Sequence, residues 1–240
     1  MSELESMSQI LEGVLKRYRS TTGDVDYLSM LGDQGMVKFA ESLGDFNLNR
    51  LETKNEKLAF WINCYNALSI YGVIKKLKQD PEFIQKGNSS WWGRVKFFAF
   101  QKFNVGGKEF TLRDIENYIR KEFEDPRIHF ALNCASSSCP LLKDGLYSSE
   151  NLDRELDSAA ELFIRSPIGA ILNHDESILR LSLIFKWYKK DFENEGVSVL
   201  EYVSRFMKEA DREYLLEHRK EIKIRFMDYD WALNNVDQED

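Results

Sequence analysis

NEKLAFWINCYNALSIYGVIKKL, residues 55–77, is the stretch on which the fold turns. Apolar residues surround a helix built on it at nearly every angle, the pattern of a helix buried on all sides. Its longest apolar run, Leu58 to Ile74, is at the short limit for a membrane span and carries Asn63, Asn66, Ser69 and Gly72, which lipid would penalise. The stretch therefore reads as the central helix of a protein core. Asn63, Asn66 and Ser69 form a polar stripe on it, and a buried stripe must find hydrogen-bond partners, so it faces a strand end or a site. Asn63 and Asn66 are read as supporting groups that tie the fold or help bind a substrate. Cys64 lies about 100° away from Asn63, with Phe60, Leu68 and Tyr71, and reads as core.

Working outward, residues 4–19 and 34–44 show helical spacing and form an N-terminal helical layer within 1–48. After a loop around GNSSWWGR, residues 95–112 read as a hairpin turning at Gly106-Gly107, and Thr111 caps a helix running to about Phe123, with Asp114 completing the box. RIHFALNC (127–134) reads as a strand. A helix from about Ser149 to Ile164 follows, then a second hairpin turning at 174–177. Helices near 197–208 and 211–220 precede a strand in IKIRFM, and an acidic tail, 236–240, is expected to fray. No linker or repeat divides residues 1–240, which predicts one domain. The predicted class is α+β: a central buried helix on an antiparallel sheet, with the N-terminal helical layer and further peripheral helices.

The net charge of -7 opposes a general attraction to nucleic acid or an anionic membrane, although a local basic patch is compatible with it. WWGRVKFFAFQKF mixes aromatics with Arg94, Lys96 and Lys102, a combination found in single-strand binders, but hairpin packing is the simpler reading in an acidic chain. Neither nucleic acid nor membrane is expected as a partner. MSELESMSQILEG lacks the basic and apolar regions of a secretory signal, which predicts a cytoplasmic address. Three cysteines are no secreted framework, so a disulfide here would be redox-active rather than structural. No phosphate loop, dinucleotide fingerprint or strong metal motif occurs, and no cofactor or metal is expected. His129, Cys134 and Cys139 offer only three zinc ligands, and Asp228 with Asp230 lacks a third oxygen.

AFWINCYNAL (59–68), TLRDIENYIR (111–120), DPRIHFALNCASSSCP (125–140), LIFKWYKKDF (183–192) and YDWALN (229–234) together resemble the family known as domain of unknown function 547, in order and spacing over roughly 50–235. The resemblance implies a versatile intracellular module, found alone in prokaryotes and fused elsewhere to coiled-coil, DEP or glutaredoxin-like domains. It implies no established chemistry.

IHFALNCASSSCP (128–140) holds the candidate site. As a strand it would put Arg127, His129, Ala131 and Asn133 on one face and Ile128, Phe130, Leu132 and Cys134 on the other. Cys139 before Pro140 is placed to cap a short helical turn, where the helix end would lower its pKa. The predicted catalytic set is Cys139 as nucleophile, His129 as base, Asn133 as its orienting group, and Glu116. Arg120, spaced i, i+4 from Glu116, either pairs with it or points with it toward His129; Asp191 either orients His129 or pairs locally. A redox pair Cys134/Cys139 is the lesser alternative. Two functions follow. One is a cysteine-dependent hydrolase or acyl transferase acting on a small molecule or peptide, papain- or transglutaminase-like by analogy. The other is a non-catalytic module for a protein partner, in which the His/Asn/Glu cluster is a structural network.

Overall fold

A capping box opens the central helix, Lys54–Gln79: Glu56 N–H donates to Thr53 Oγ1 at 3.1 Å, and Thr53 N–H to Glu56 Oε2 at 2.8 Å. In the computed structural model, which describes residues 2–193 and 196–236, this helix is buried around its circumference. Its main neighbours are the helices Gly35–Asp45 and Leu112–Phe123, and the helix Glu3–Tyr18 packs outside Gly35–Asp45. The predicted helical layer is therefore present. The tail predicted to fray lies outside the described residues except for Val236, whose N–H donates to Val25 O at 3.2 Å.

The sheets are small. Strands β1 (Lys102–Val105) and β2 (Lys108–Thr111) pair antiparallel, turning where predicted. Gly106 takes φ 59° there, and a Cβ on it would lie 2.8 Å from Leu48. Strands β3 (Ala170–Asn173) and β4 (Ile178–Leu181) form the second hairpin, and β5 (Lys223–Phe226) joins β4 in parallel. The α+β class stands. Four-residue strands cover too little area to bury a 26-residue helix, so helices rather than an antiparallel sheet supply most of its cover.

Three local expectations are corrected. Residues 128–131 form a helical turn, Ile128–Ala131, and not a strand. Asp125 starts it: its Oδ1 accepts the Arg127 N–H at 2.9 Å and its carbonyl accepts the Ile128 N–H at 3.2 Å, so an aspartate-proline turn overrides the short alternation that follows. The segment before β1 is helical as well, Trp91–Val95 continuing into a π-helical turn, Lys96–Phe100. No helical turn starts at Pro140: residues 139–148 carry no helix.

Buried apolar side chains gather in two clusters. One surrounds the central helix; the other joins the helix Leu152–Ile164 to the second sheet and the helix Val199–Ser204. The Ile128–Ala131 turn lies on the seam. Ile128 and Ala131 enter the first cluster and Phe130 the second. His129, 5% exposed, is left between them.

Candidate active site

His129 Nε2 lies 2.8 Å from Asp191 Oδ2, and Arg120 grips the same carboxylate with Nε at 2.7 Å and Nη2 at 3.1 Å. Burial raises the Asp191 pKa, but the hydrogen bonds from His129 and Arg120 outweigh it and hold the carboxyl well below its ordinary range. Burial also holds the His129 imidazole below its ordinary value, against the opposing pull of Asp191. An ionised carboxylate only accepts, so Nε2 carries the imidazole proton and Nδ1 is left as the basic nitrogen. Of the two roles open to Asp191, orienting His129 is the one the geometry displays. Arg120 pairs with Asp191 and not with Glu116.

The His129 ring stacks on Tyr188 with centroids 4.0 Å apart, and Tyr188 O–H donates to Glu116 Oε1 at 2.6 Å. Both faces of this assembly are accessible. On one side a polar cavity of about 310 Å³ is lined by Arg120, Asp191, Lys121 and Lys190. On the other, a cavity of about 130 Å³ is walled by Tyr65, Trp187, Tyr188, Tyr229 and Trp231, with His129, Glu116 and both Cys134 and Cys139 on its lining. His129 and Cys134 thus share one cavity, because the helical turn removes the opposition of faces that a strand would impose.

Cys134 and Cys139 are joined by a disulfide, with Cα atoms 6.3 Å apart. Their environments differ. Cys139 is buried, and its sulfur accepts the Cys134 N–H at 3.1 Å and faces Tyr229 Oη at 3.2 Å; Cys134 is only half-buried. Burial pushes the Tyr229 phenol up, so it keeps its proton and donates to sulfur. The third cysteine, Cys64, lies in the core as read, and burial pushes its thiol up.

The asparagines hold the backbone that carries the cysteines. Asn133 Nδ2 donates to Pro140 O at 2.8 Å and its Oδ1 accepts the Ala135 N–H at 2.9 Å, closing the loop across its neck. Asn66 accepts the Asn133 N–H at 2.8 Å and donates to Ala131 O at 2.9 Å; Asn63 bonds Tyr147 N–H and O, both at 2.9 Å. Ser69 Oγ finds no partner among the described residues. The Asn133 amide is thus spent on the loop, and the side chain that hydrogen-bonds His129 is Asp191. Ala135, inside the clamp, takes φ 60°, a strained setting for a residue with a Cβ. Asn133→Ala would leave two buried backbone groups unpaired at that point, and we expect a loss of about 1–3 kcal/mol in urea unfolding, with the cysteines oxidised before and after.

With the stripe of the central helix tied to the 131–147 loop, the motifs AFWINCYNAL and HFALNCASSSCP form one clamped unit. Residues 48–164 match DUF547, a family described as a protein of unknown function. The DUF547 match contains the central helix, Glu116, Arg120, His129 and the cysteine pair. Asp191, Tyr188, Tyr229 and Trp231 complete the site from beyond it, in the part of the chain where the resemblance was read but the match does not extend. No curated protein and no solved structure matches the chain. No helix among the described residues is long and apolar enough to cross a membrane, and no group of three or more metal-ligating side chains occurs among them.

Sequence reasoning missed Tyr188, Tyr229 and Trp231 as site residues. Tyr188, with Trp187 and Phe192 at helical spacing, carries the pattern of a core stripe, which hides its place in the site. For Tyr229 and Trp231 a signal existed: two aromatics at i, i+2 in an extended segment point to one side.

Proposed function

We propose that the aromatic cavity is the catalytic site of a thiol-dependent enzyme and that its chemistry is thiol–disulfide exchange at the Cys134–Cys139 pair. The asymmetry of the two sulfurs carries this reading. Cys134 is the half-buried sulfur an incoming thiolate can reach, and Cys139 is the buried one, which alone receives the Cys134 N–H and lies nearer the Tyr229 O–H, at 3.2 Å against 3.4 Å for Cys134. A substrate thiolate attacks Cys134 Sγ along the sulfur–sulfur axis. A bond forms between substrate sulfur and Cys134, the Cys134–Cys139 bond breaks, and its electron pair leaves on Cys139 as a thiolate stabilised by those two donors. A second thiolate on the substrate then displaces Cys134, releasing an oxidised substrate and a reduced dithiol; the reverse sequence reduces a substrate disulfide. His129 Nδ1 is the base suited to take the proton of an entering thiol. The wall of Trp187, Tyr188 and Tyr229 suits a small thiol or a cysteine peptide with apolar neighbours.

In the reduced chain the same residues would present Cys139 beside the His129–Asp191 pair, the constellation that hydrolysis or acyl transfer uses. Exchange is favoured because it starts from the disulfide. The non-catalytic reading draws its support from the spent amides of Asn63, Asn66 and Asn133.

The test is trapping. Reduced Cys139→Ser exposed to glutathione disulfide is expected to accumulate one adduct on Cys134 by intact and peptide mass, at a rate at least about tenfold that of a model thiol, because no neighbour remains to resolve it. Reduced wild type should pass to the internal disulfide without accumulating adduct, and Cys134→Ser should stay unlabelled. Equal labelling of the two single variants, or no labelling of either, would refute exchange and leave the structural module.

A further inference from the structure

A third cavity lies away from the sulfurs. A groove of about 690 Å³ runs between the end of the central helix and the residue 83–102 segment, and its lining includes Asn88, Trp92, Phe100, Lys75, Lys96 and Lys102. Asn88 is 1% exposed, yet neither Nδ2 nor Oδ1 of its side chain has a hydrogen-bond partner among the described residues. A buried amide with both ends unmet costs free energy, and a ligand that supplied the missing donor and acceptor would recover it.

Its backbone is held independently. Asn88 N–H donates to Trp231 O at 3.0 Å, Arg94 Nη1 donates to Asn88 O at 3.1 Å, and Gly87 takes φ 50° where a Cβ would meet Trp231 O at 2.7 Å. The side chain is therefore positioned but unused.

The rest of the groove indicates what would use it. Trp92 is 65% and Phe100 69% exposed, large flat surfaces left in water beside the amide. Phe100 ends a π-helical turn, Lys96–Phe100, a distortion that recurs at functional sites. Of the lining lysines, Lys76, Lys86 and Lys102 have acidic partners in Asp80, Glu82 and Glu109, whereas Lys75 leans over Tyr71 and Phe103 and Lys96 has no acidic partner among the described residues. Asp80 is the acid on the lining.

We propose that this groove binds a nucleotide-class ligand: a heteroaromatic base stacked on Trp92 or Phe100, its edge paired to the Asn88 amide, and its phosphate met by Lys96. A side-chain amide offers a donor and an acceptor side by side, which matches the N6/N7 edge of adenine. Stacking on an exposed aromatic and a nearby lysine are the other two components of nucleotide capture. The overall negative charge governs long-range attraction and leaves this local cationic face intact. The source is either a free mononucleotide or a base within a single strand.

The full chain is titrated with ADP, ATP and an oligodeoxyadenylate of about 8 nucleotides, read by tryptophan fluorescence and calorimetry. Saturable binding is expected, weakened about tenfold or more by Asn88→Ala and by Lys96→Glu and falling with added salt. Asn88→Ala should leave the Tm at or above the wild-type value, because the amide it removes makes no hydrogen bond within the protein and its burial is unfavourable; that separates a ligand contact from a structural one. Binding of the mononucleotides as tightly as the oligomer assigns the groove to free nucleotides, and binding of the oligomer alone assigns it to single strands. Binding of neither, or unchanged affinity in both variants, overturns the proposal. So does adsorption to anionic phosphatidylserine vesicles without nucleotide binding, which would make Trp92 and Phe100 a membrane patch.

Discussion

Phe130→Ala is expected to destabilise the protein by about 3–5 kcal/mol, the largest loss for any single truncation near the site. The ring is 1% exposed and sits among Phe163, Phe185, Phe192 and Tyr202 at centroid distances of 5.4, 5.7, 5.7 and 6.5 Å. Removing it takes away buried area and leaves a void among rings whose backbones belong to four different segments, so collapse onto the void is difficult. Its position adds a second effect. Phe130 adjoins His129 in a four-residue turn, so loosening the ring also releases the imidazole from Tyr188 and Phe192. Urea unfolding gives the stability. Phe226→Ala serves as the control, since that ring is 41% exposed and its loss should stay within about 0.5 kcal/mol. A loss below about 1 kcal/mol for Phe130→Ala would mean that the second cluster is not packed as described.

Asp191→Ala is expected to cost about 2–3 kcal/mol, below the ~3–5 of a fully buried pair because the carboxylate is about a quarter exposed. It strands two partners at once: His129 Nε2, inside the seam, and the Arg120 guanidinium, which lies 4.7 Å from the Tyr188 ring centre. Asp191→Asn should recover part of the loss, since its amide oxygen can still accept one of the two bonds.

The same pair sets a pH dependence. Both folded-state pKa values are depressed, so in each case the unfolded chain takes up protons first as pH falls, and stability is lost in that direction. The His129 share is complete above its unfolded value near 6.5 and declines from there toward the lower folded value; the Asp191 share begins to go only below about 4. Tm measured from pH 7.5 to 5 should therefore fall in the wild type and flatten in His129→Gln. A wild-type Tm that rises over that interval would show that the Asp191 charge, and not burial, dominates the imidazole.

What could be read ahead of the structure follows from how local each signal is. The central helix, the Thr111–Asp114 box, the Gly106-Gly107 turn and the hairpin at 174–177 were legible because each is decided by residues within a few positions of one another. The 128–134 segment was misread for the same reason in reverse: seven residues of alternation are weak evidence, and Asp125-Pro126 just upstream had already committed the backbone to a turn. His129, Cys139, Glu116, Arg120 and Asp191 were all named as candidates, but their pairing was not available. Asp191 is 62 positions from His129 and Tyr229 is 90 from Cys139, and no periodicity reports contacts at that range. Asn133 shows the limit from the other side. Its type and place suggested an orienting residue, while the hydrogen bonds that occupy it come from the loop it closes.

The stretch 229–236 reaches across the whole molecule. Tyr229 meets both sulfurs, Trp231 O receives Asn88 N–H, Ala232 O receives Ser137 N–H, Asn234 Oδ1 receives Tyr27 O–H, and Val236 returns to Val25. During synthesis these residues leave the ribosome after the cysteines, His129 and every helix among the described residues have emerged. Until then Cys134 and Cys139 stand without their phenol, and the aromatic wall lacks Tyr229 and Trp231. A nascent chain stalled at residue 228 would carry both cysteines without the phenol and the indole that flank them in the finished fold.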